Sequence, residues 1–300
     1  MSDRSHEAPS DDASSGSDAF RLVGNEIRTD ILRALGDARV EQGHKPVFSF
    51  SELRDRTETD AGSSKFNYHL QELVGQYVER VEDGYQMRAE GRALYQTLRA
   101  GTFDSRESTL TVDADFDCYY CGTGVEATVD EGTVTVECPG CDYLYGIAGA
   151  PPGAIEDDTV ALEQVGAFYH HRHLGFARGV CVTCGTEPTI ERVSPADVPF
   201  ADGDRQELYV YRSCENCGDQ RHLSLGTYLL SDPHLRAFCA DHGVDVLSTP
   251  LWELEFAAID RNVTVDASEP WEATLTVTYD DETLEIVVDE DLSVIERTHR

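Results

Sequence analysis

The chain has 300 residues, an ordinary apolar content of 40% and a formal net charge of −33. That length accommodates two or three domains, and no apolar run is long enough to span a bilayer, which excludes a protein that crosses the membrane by a helix. The opening residues Met1-Ser2-Asp3-Arg4-Ser5-His6-Glu7 carry no apolar core of the kind a secretory signal needs, so a cytoplasmic protein is expected.

Residues 1–18 are mostly Ser, Asp, Ala and Gly without apolar periodicity, the composition of a disordered acidic tail. Phe20, Val23, Ile27, Ile31 and Leu35 then recur at helical spacing, with Gly36-Asp37 expected to close the helix. Pro46-Val47-Phe48 reads as extended, and Ser49-x-x-Glu52 is a capping box that opens a second helix. After a Gly/Ser break, Ser63 to Leu73 reads as a third helix. Unrolled at about 100° per residue, it carries Phe66, Leu70 and Leu73, with Val74 and Tyr77 beyond, on its core side. Ser64, Tyr68, Gln71 and Gly75 fall opposite, flanked by Lys65 and Asn67. His69 lies beside the core face and reads as a packing residue. Val78 to Met87 reads as a hairpin with Asp83-Gly84 at its tip. A further helix, Ala89 to Leu98, has Ala93, Leu94, Tyr95 and Leu98 as its apolar set.

A helix face bearing Ser, Lys, Asn, Tyr and Gln is equipped to touch DNA, since Asn and Gln match adenine edges while Lys, Ser and Tyr reach guanine or phosphate. At these residues a family resemblance emerges. Leu22 to Leu35 resembles the first long helix of ArsR-type winged helix-turn-helix regulators, Ser64 to Leu73 their recognition helix, Val78 to Met87 their wing, and Glu90 to Leu94 the helix that follows. The resemblance implies a winged helix over residues 19–103. It implies double-stranded DNA as partner, read by Ser63, Ser64, Lys65, Asn67, Tyr68 and Gln71, with Arg80, Tyr85 and Arg88 of the wing near the backbone. It also implies a homodimer through the helix that begins at Ala89. The paired cysteines of metal-sensing members are missing from this region, so metal sensing is not expected.

The acidity bears on this reading through its distribution. Ala19 to Gly101 holds 12 Arg or Lys against 13 Asp or Glu, a net of −1, so the remaining 217 residues carry −32. Lys45 and Lys65 are the two lysines beside 22 arginines. Abundant carboxylates with few lysines resemble the proteins of salt-in halophilic archaea, whose surfaces stay hydrated in molar salt where charge repulsion is screened. There the counterion-release contribution to DNA binding is weak, and base-edge hydrogen bonds and shape carry more of the recognition.

Ser105 to Asp117 is polar and acidic and reads as a linker. Four Cys-x-x-Cys pairs follow: Cys118/Cys121, Cys138/Cys141, Cys181/Cys184 and Cys214/Cys217. The first two pairs form C-x2-C-x16-C-x2-C around a β-hairpin, a zinc-ribbon spacing assigned to residues 112–150. The other two form C-x2-C-x29-C-x2-C, with Thr189–Val193 and Leu208–Arg212 as strands and Ser194–Gln206 as an irregular insertion. Each set can close a four-thiolate site for structural zinc, or an iron substitute; with no open position such a site is not catalytic. Disulfides are the alternative, disfavoured in a reducing compartment.

Between the sets, a break at Pro151-Pro152-Gly153 precedes a connecting helix, residues 155–178, which contains Leu162, Val165, Gly166, Phe168, Tyr169 and Leu174. His170 and His173 share a face and read as solvated residues near a helix end, with a metal effector site as the alternative. Residues 179–300 read as the second zinc module with an α+β tail. It comprises a helix from Thr227 to His242, with Cys239 a buried thiol and His242 a surface residue, and an antiparallel meander over Trp271–Tyr279, Leu284–Val288 and Leu292–Ile295.

The fold expected is therefore a multidomain α+β chain: winged helix-turn-helix, two four-cysteine zinc-ribbon-like modules and a C-terminal antiparallel sheet with helices. This order also resembles a haloarchaeal regulator architecture. No nucleophile elbow, phosphate-cradling loop or HExxH is present, so an enzyme is not expected. The function expected is a site-specific transcriptional regulator whose C-terminal region binds a partner or ligand. The alternative is an adaptor of the transcription machinery, since a winged helix followed by a zinc ribbon resembles the archaeal general transcription factor E; the second ribbon and long C-terminal region depart from that pattern.

Overall fold

The structure, a computed structural model, describes residues 22–104, 109–156, 159–198, 200 and 205–300. The acidic stretch 1–18, Phe20 and parts of the expected linker and insertion lie outside the described residues. The chain forms two compact units, Met1–Asp104 and Ser105–Arg300.

The first unit contains α1 (Glu26–Gln42), α2 (Phe50–Arg56), α3 (Ser63–Leu73), the hairpin β1 (Val78–Val81) and β2 (Gly84–Met87), and α4 (Ala89–Arg99). Ile31, Leu32 and Leu35 of α1 close over Leu53, Phe66, Leu70, Leu73 and Val78 in one core. The capping box is present in both directions: the Ser49 backbone N–H donates to Glu52 at 2.8 Å, and the Glu52 N–H donates to Ser49 Oγ at 3.3 Å. Two glycines have other roles than the spacing suggests. Gly36 does not end α1. It lies inside the helix, where the lack of a side chain lets the Tyr95 ring pack so closely that a Cβ would lie 2.3 Å from Cδ2, and Tyr95 Oη donates to Asp37 at 2.6 Å. Gly43, at φ 69°, closes the helix instead. Phe48 joins the hairpin by exchanging backbone hydrogen bonds with Tyr85 at 3.0 and 2.8 Å. Gly84 permits this approach, since a Cβ there would meet the Phe48 carbonyl oxygen at 2.1 Å.

The second unit opens on a four-stranded antiparallel sheet in the order β3 (Leu110–Asp117), β4 (Gly124–Asp130), β5 (Thr133–Glu137), β6 (Leu144–Gly149). Most of the expected linker is thus strand. Leu110, Val112, Ala114 and Phe116 alternate inward, and the intervening Thr and Asp residues point outward; the acidic outer face hides the period of two. A small hairpin, β7 (Ile155–Glu156) and β8 (Thr159–Val160), precedes α5 (Leu162–Ala177), so the connecting helix begins later than expected. A second sheet pairs β9 (Thr189–Val193), β10 (Tyr209–Ser213) and β11 (Gln220–Ser224) around the central β10.

The single helix expected from Thr227 to His242 is two: α6 (Leu225–Leu229) and α7 (Pro233–Asp241). Asp232 and Pro233 are the cause. Asp232 caps α7 by accepting from the His234 and Leu235 N–H groups at 2.9 and 3.2 Å, and Pro233 occupies the first turn. After α8 (Glu255–Ala258), a meander of β12 (Val263–Asp266), β13 (Glu272–Tyr279), β14 (Glu282–Val288) and β15 (Val294–His299) completes the chain. Leu275 sits opposite Ile286, and Val277 opposite Leu284, on the buried face. The third arm begins later than expected because Leu292, at φ 61°, is buried in the turn before it.

The regions 112–150, 155–178 and 179–300 pack as one unit. The inner face of the first sheet is sealed by Val165, Trp252 and Ile259, since so small a sheet cannot bury its own apolar face. Among the described residues, no helix is long and apolar enough to cross a membrane.

Asp260 offers a test of this packing. It is 3% exposed, and its Oδ2 accepts from the Glu207 and Leu208 N–H groups at 3.0 and 3.3 Å. Burial pushes its carboxyl up to about 6. A raised acid contributes stability that is present below its unfolded pKa, near 4, and is lost as pH rises through about 6. Asp260→Asn is therefore expected to be more stable than the parent at pH 7.5, by about 1–2 kcal/mol, and this gain should shrink towards pH 4.5. Denaturant melts of both proteins at the two pH values check the sign; a variant weaker than its parent at pH 7.5 would refute the argument.

Candidate metal centres and an exposed helix face

The four Cys-x-x-Cys segments adopt one local conformation. In each, the N–H four residues after the first cysteine donates to that cysteine's carbonyl: Gly122 to Cys118, Asp142 to Cys138, Gly185 to Cys181 and Gly218 to Cys214, at 2.7–2.9 Å. Each first cysteine in turn donates its N–H to the carbonyl five residues on: Thr123, Tyr143, Thr186 and Asp219, at 2.8–3.0 Å. The turn needs a positive φ at the residue after the second cysteine, supplied by Gly122 (72°), Gly185 (81°) and Gly218 (75°), and by Asp142 (58°) at the fourth. Each knuckle aims its sulfurs to one side.

Two knuckles then meet. Cys118, Cys121, Cys138 and Cys141 form one cluster; Cys181, Cys184, Cys214 and Cys217 form the other, with the sulfurs of each set within 4.8 Å of one another. The short sulfur–sulfur separations are 3.7 Å (Cys118–Cys141), 3.4 Å (Cys121–Cys138), 3.5 Å (Cys181–Cys217) and 3.4 Å (Cys184–Cys214). Four sulfurs about 2.3 Å from a zinc ion lie about 3.8 Å apart, so both clusters fit a tetrahedral thiolate site. The acid–base balance agrees. Burial pushes the Cys118 thiol up, but Tyr145 and backbone N–H groups outweigh it and bring it down to about 6. The Thr186 hydroxyl and backbone bring Cys184 down to about 5. Cys138 is pushed up to about 12, chiefly by burial. Thiols packed this closely cannot all ionise unless a cation lies among them. All four positions are filled by cysteine, which defines a structural rather than a catalytic centre.

The residues around the clusters were not legible from the cysteine spacing. Tyr145 Oη donates to Cys118 Sγ at 3.2 Å and accepts from the Tyr119 N–H at 2.9 Å. Arg205, from the loop before β10, donates to the Cys141 carbonyl at 3.1 Å and to its sulfur at 3.4 Å. Arg205 and Arg261 lie 5.4 and 5.2 Å from the Tyr120 ring centroid. These cations would offset the negative charge of four thiolates around a zinc ion. At the second cluster Asp219 accepts from Thr183 at 2.8 Å and pairs with Arg172 of α5 and Arg221 of β11 at 3.1 and 2.8 Å.

In the first unit, Ser63, Ser64, Lys65, Asn67, Tyr68 and Gln71 are exposed along α3 while Phe66, His69, Leu70 and Leu73 are buried. Tyr68 is 60% exposed, high for an aromatic side chain. Ser63 accepts a hydrogen bond from Arg54 of α2, and Gln71 donates to Tyr85 Oη at 3.3 Å. Tyr85, expected at the surface of the hairpin, is a core residue at 7% exposure; its β2 neighbours alternate, and register puts it on the inner face with Met87. Arg80 is exposed, its guanidinium 5.9 Å from the Tyr85 ring centroid, and Arg88 lies 3.3 Å from Glu90.

His170 and His173 are not solvated: they are 1% and 4% exposed, and their Nδ1 atoms bond to the carbonyls of Thr249 at 3.2 Å and Tyr169 at 2.9 Å. Phe168 of the same helix is 45% exposed. The α5 helix is packed on more than one side, which blurs its apolar stripe. Cys239 is fully buried, and His242 packs on Tyr279 with ring centroids 5.6 Å apart. Neither pair forms a further metal cluster among the described residues.

The second unit thus carries two four-cysteine clusters, compatible with structural zinc sites, on antiparallel sheets and helices. Residues 115–294 match a family described as a domain of unknown function (DUF7351), and the chain belongs to that family. Residues 16–98 match a second family model, also described as a domain of unknown function (DUF7347). No curated protein and no solved structure matches the chain.

Proposed function

We propose that the chain is a site-specific DNA-binding transcriptional regulator whose first unit is a winged helix-turn-helix. In this reading α2 and α3 form the helix-turn-helix, α3 enters the major groove, and β1–β2 is the wing. The observation that carries it is α3 itself: Phe66, Leu70 and Leu73 anchor the helix while Lys65, Asn67, Tyr68 and Gln71 stand on its open face. Asn67 has the chemistry to pair with an adenine edge, Tyr68 to contact a base or thymine methyl, and Lys65 to meet a phosphate. The near-neutral balance of residues 19–101 in a chain of −33 supports the same reading. Arg80 and Arg88 remain the wing's candidates for backbone contact, whereas Tyr85 supports the wing from within. The regulator would act as a homodimer through α4, with zinc in both clusters holding the second unit in shape.

The test is selection from a random duplex pool by the purified full chain in concentrated KCl. The parent is expected to enrich one motif, and Asn67→Ala with Tyr68→Ala to lose at least about 10-fold in discrimination, at about 1–3 kcal/mol for each lost base contact, with an unchanged melt. If the parent enriches no motif, site-specific reading fails. Equal binding of all duplexes together with capture of RNA polymerase would support the adaptor role instead.

A further inference from the structure

The second unit contains a half-open cavity of ≈ 850 Å³ between β6, α5 and β11, bounded also by Leu251, Trp252, Ala257 and Ala258. That volume lies within the range of small-molecule sites, roughly 300–1,000 Å³. Its walls are rich in aromatic rings: Tyr143, Tyr145, Tyr169, Tyr209, His222 and Trp252 all line it. Trp252 is 3% exposed and Tyr143 1%, so these rings are fixed by packing rather than free to collapse inward.

The polar groups of the wall narrow the ligand class. Tyr143 Oη donates to the Ala258 carbonyl at 3.0 Å, and Tyr169 Oη to the Ile147 carbonyl at 2.6 Å. Asp219 holds Arg221 at 2.8 Å and Arg172 at 3.1 Å, so the three groups together leave one net positive charge beside the wall. Asp142, the carboxylate of the wall, is exposed to water in its knuckle. His173 differs from these. Its ring stacks against Tyr169, centroids 3.9 Å apart, and is 4% exposed. Its Nδ1 faces the Tyr169 carbonyl at 2.9 Å, so Nδ1 carries the proton. The neutral imidazole is favoured because burial opposes its charged form and holds its pKa down to about 4. That leaves Nε2 as a lone-pair acceptor on a residue that lines the cavity.

We propose that this cavity binds a small, planar aromatic molecule carrying one N–H or O–H donor, packed against Tyr169 and Tyr209 near Trp252, with its donor on His173 Nε2. Aromatic side chains in the wall favour ring contact, and an acceptor on a buried residue favours a ligand that can satisfy it. The site lies wholly within the second unit and is independent of the DNA-binding reading. The two metal clusters frame it: Tyr143 and Tyr145 follow Cys141, and Gln220 to Leu223 follow Cys217, so both facing walls start from a knuckle.

The probe is N-phenyl-1-naphthylamine, a neutral aromatic amine that fluoresces in apolar surroundings, titrated into the zinc-loaded full chain. One saturable site per chain is expected, with energy transfer from Trp252. Trp252→Phe should remove most of the transfer and Trp271→Phe little of it; these are the two tryptophans. The N-methyl analogue, which lacks the donor, should bind about 3–10-fold more weakly, and His173→Phe should erase that difference. A Cβ on Gly146 would have open space around it, its nearest neighbour being Tyr169 Cε1 at 4.0 Å, so Gly146→Leu should fill the cavity and weaken binding at least 10-fold with both metals retained. Absence of a saturable site, transfer that survives Trp252→Phe, or full binding by a metal-replete Gly146→Leu protein each overturns the proposal. Equal affinity for the two probes overturns the role of His173. Should Gly146→Leu lose its metals, the transfer measured with the two tryptophan variants decides the location.

Discussion

Replacing Cys138 with serine is expected to lower the zinc content of the full chain from two ions to one and to unfold the β3–β6 sheet, because Cys138 is a fully buried member of the first four-sulfur cluster. Zinc bound by four thiolates contributes about 10–16 kcal/mol at pH 7, comparable to the whole stability of a typical domain, about 5–15 kcal/mol. Without the ion, the first cluster leaves three thiols around a buried hydroxyl, and the knuckles lose the contact that joins β4 to β6. The effect should spread, since Cys118 and Cys138 share a core with Val165, Trp252 and Ile259. The second cluster should yield first to a chelator. Cys184 and Cys217 are exposed there, and the buried apolar side chain packed with Cys181 and Cys214 is Phe176. Metal analysis by mass spectrometry, with circular dichroism melts before and after chelation, reads both effects. A Cys138→Ser protein that keeps two ions, or melts like its parent, would show that the cluster does not hold the sheet.

Asp232→Ala should cost about 2–3 kcal/mol, through loss of an N-cap and of charged hydrogen bonds to the partly exposed Arg297. Asp232 is 7% exposed and fully engaged: Oδ1 accepts from the His234 and Leu235 N–H groups at 2.9 and 3.2 Å, and Oδ2 from Arg297 Nη2 and Nε at 2.7 and 3.0 Å. It therefore caps α7 and fastens that helix to β15 at the edge of the terminal sheet. Burial alone would push the Asp232 carboxyl up; Arg297 and the two N–H groups outweigh burial and hold it below the usual carboxylate range. A depressed acid contributes stability that is present above its unfolded pKa, near 3.9, and is lost as pH falls through the folded value. The gap between parent and variant in denaturant melts should thus be full at pH 7 and narrow below pH about 4. A gap under about 1 kcal/mol at pH 7, or one that does not change with pH, would mean that the pair is solvated in solution.

How far the chain could be read depended on the range of the interaction concerned. The capping box at Ser49, the burial of Phe66, Leu70 and Leu73 along α3, and the alternation in β13 and β14 all arise within a few residues. Periods of 3.6 and 2 record such contacts directly. The split between α6 and α7 was also local, present in Asp232-Pro233 as a cap followed by a proline, but the apolar period running across it obscured the break. The strand at Leu110–Asp117 was hidden for the opposite reason, its outward Asp residues giving it the look of a solvated segment.

What the sequence alone determined is the ligand chemistry of the two clusters and the faces of the regular elements. A Cys-x-x-Cys turn closes through its own backbone, and the glycines after Cys121, Cys184 and Cys217 already have the conformational freedom that turn requires. The tertiary structure alone decided which residues surround those chemistries. Arg205 reaches Cys141 across 64 positions of chain, and Tyr143 reaches the Ala258 carbonyl across 115. Tyr85 turns inward because of its register in the hairpin, and His173 joins a ring of aromatics drawn from four separate stretches. No spacing along a chain encodes such neighbours. They exist because apolar surfaces too small to be buried alone pack against one another.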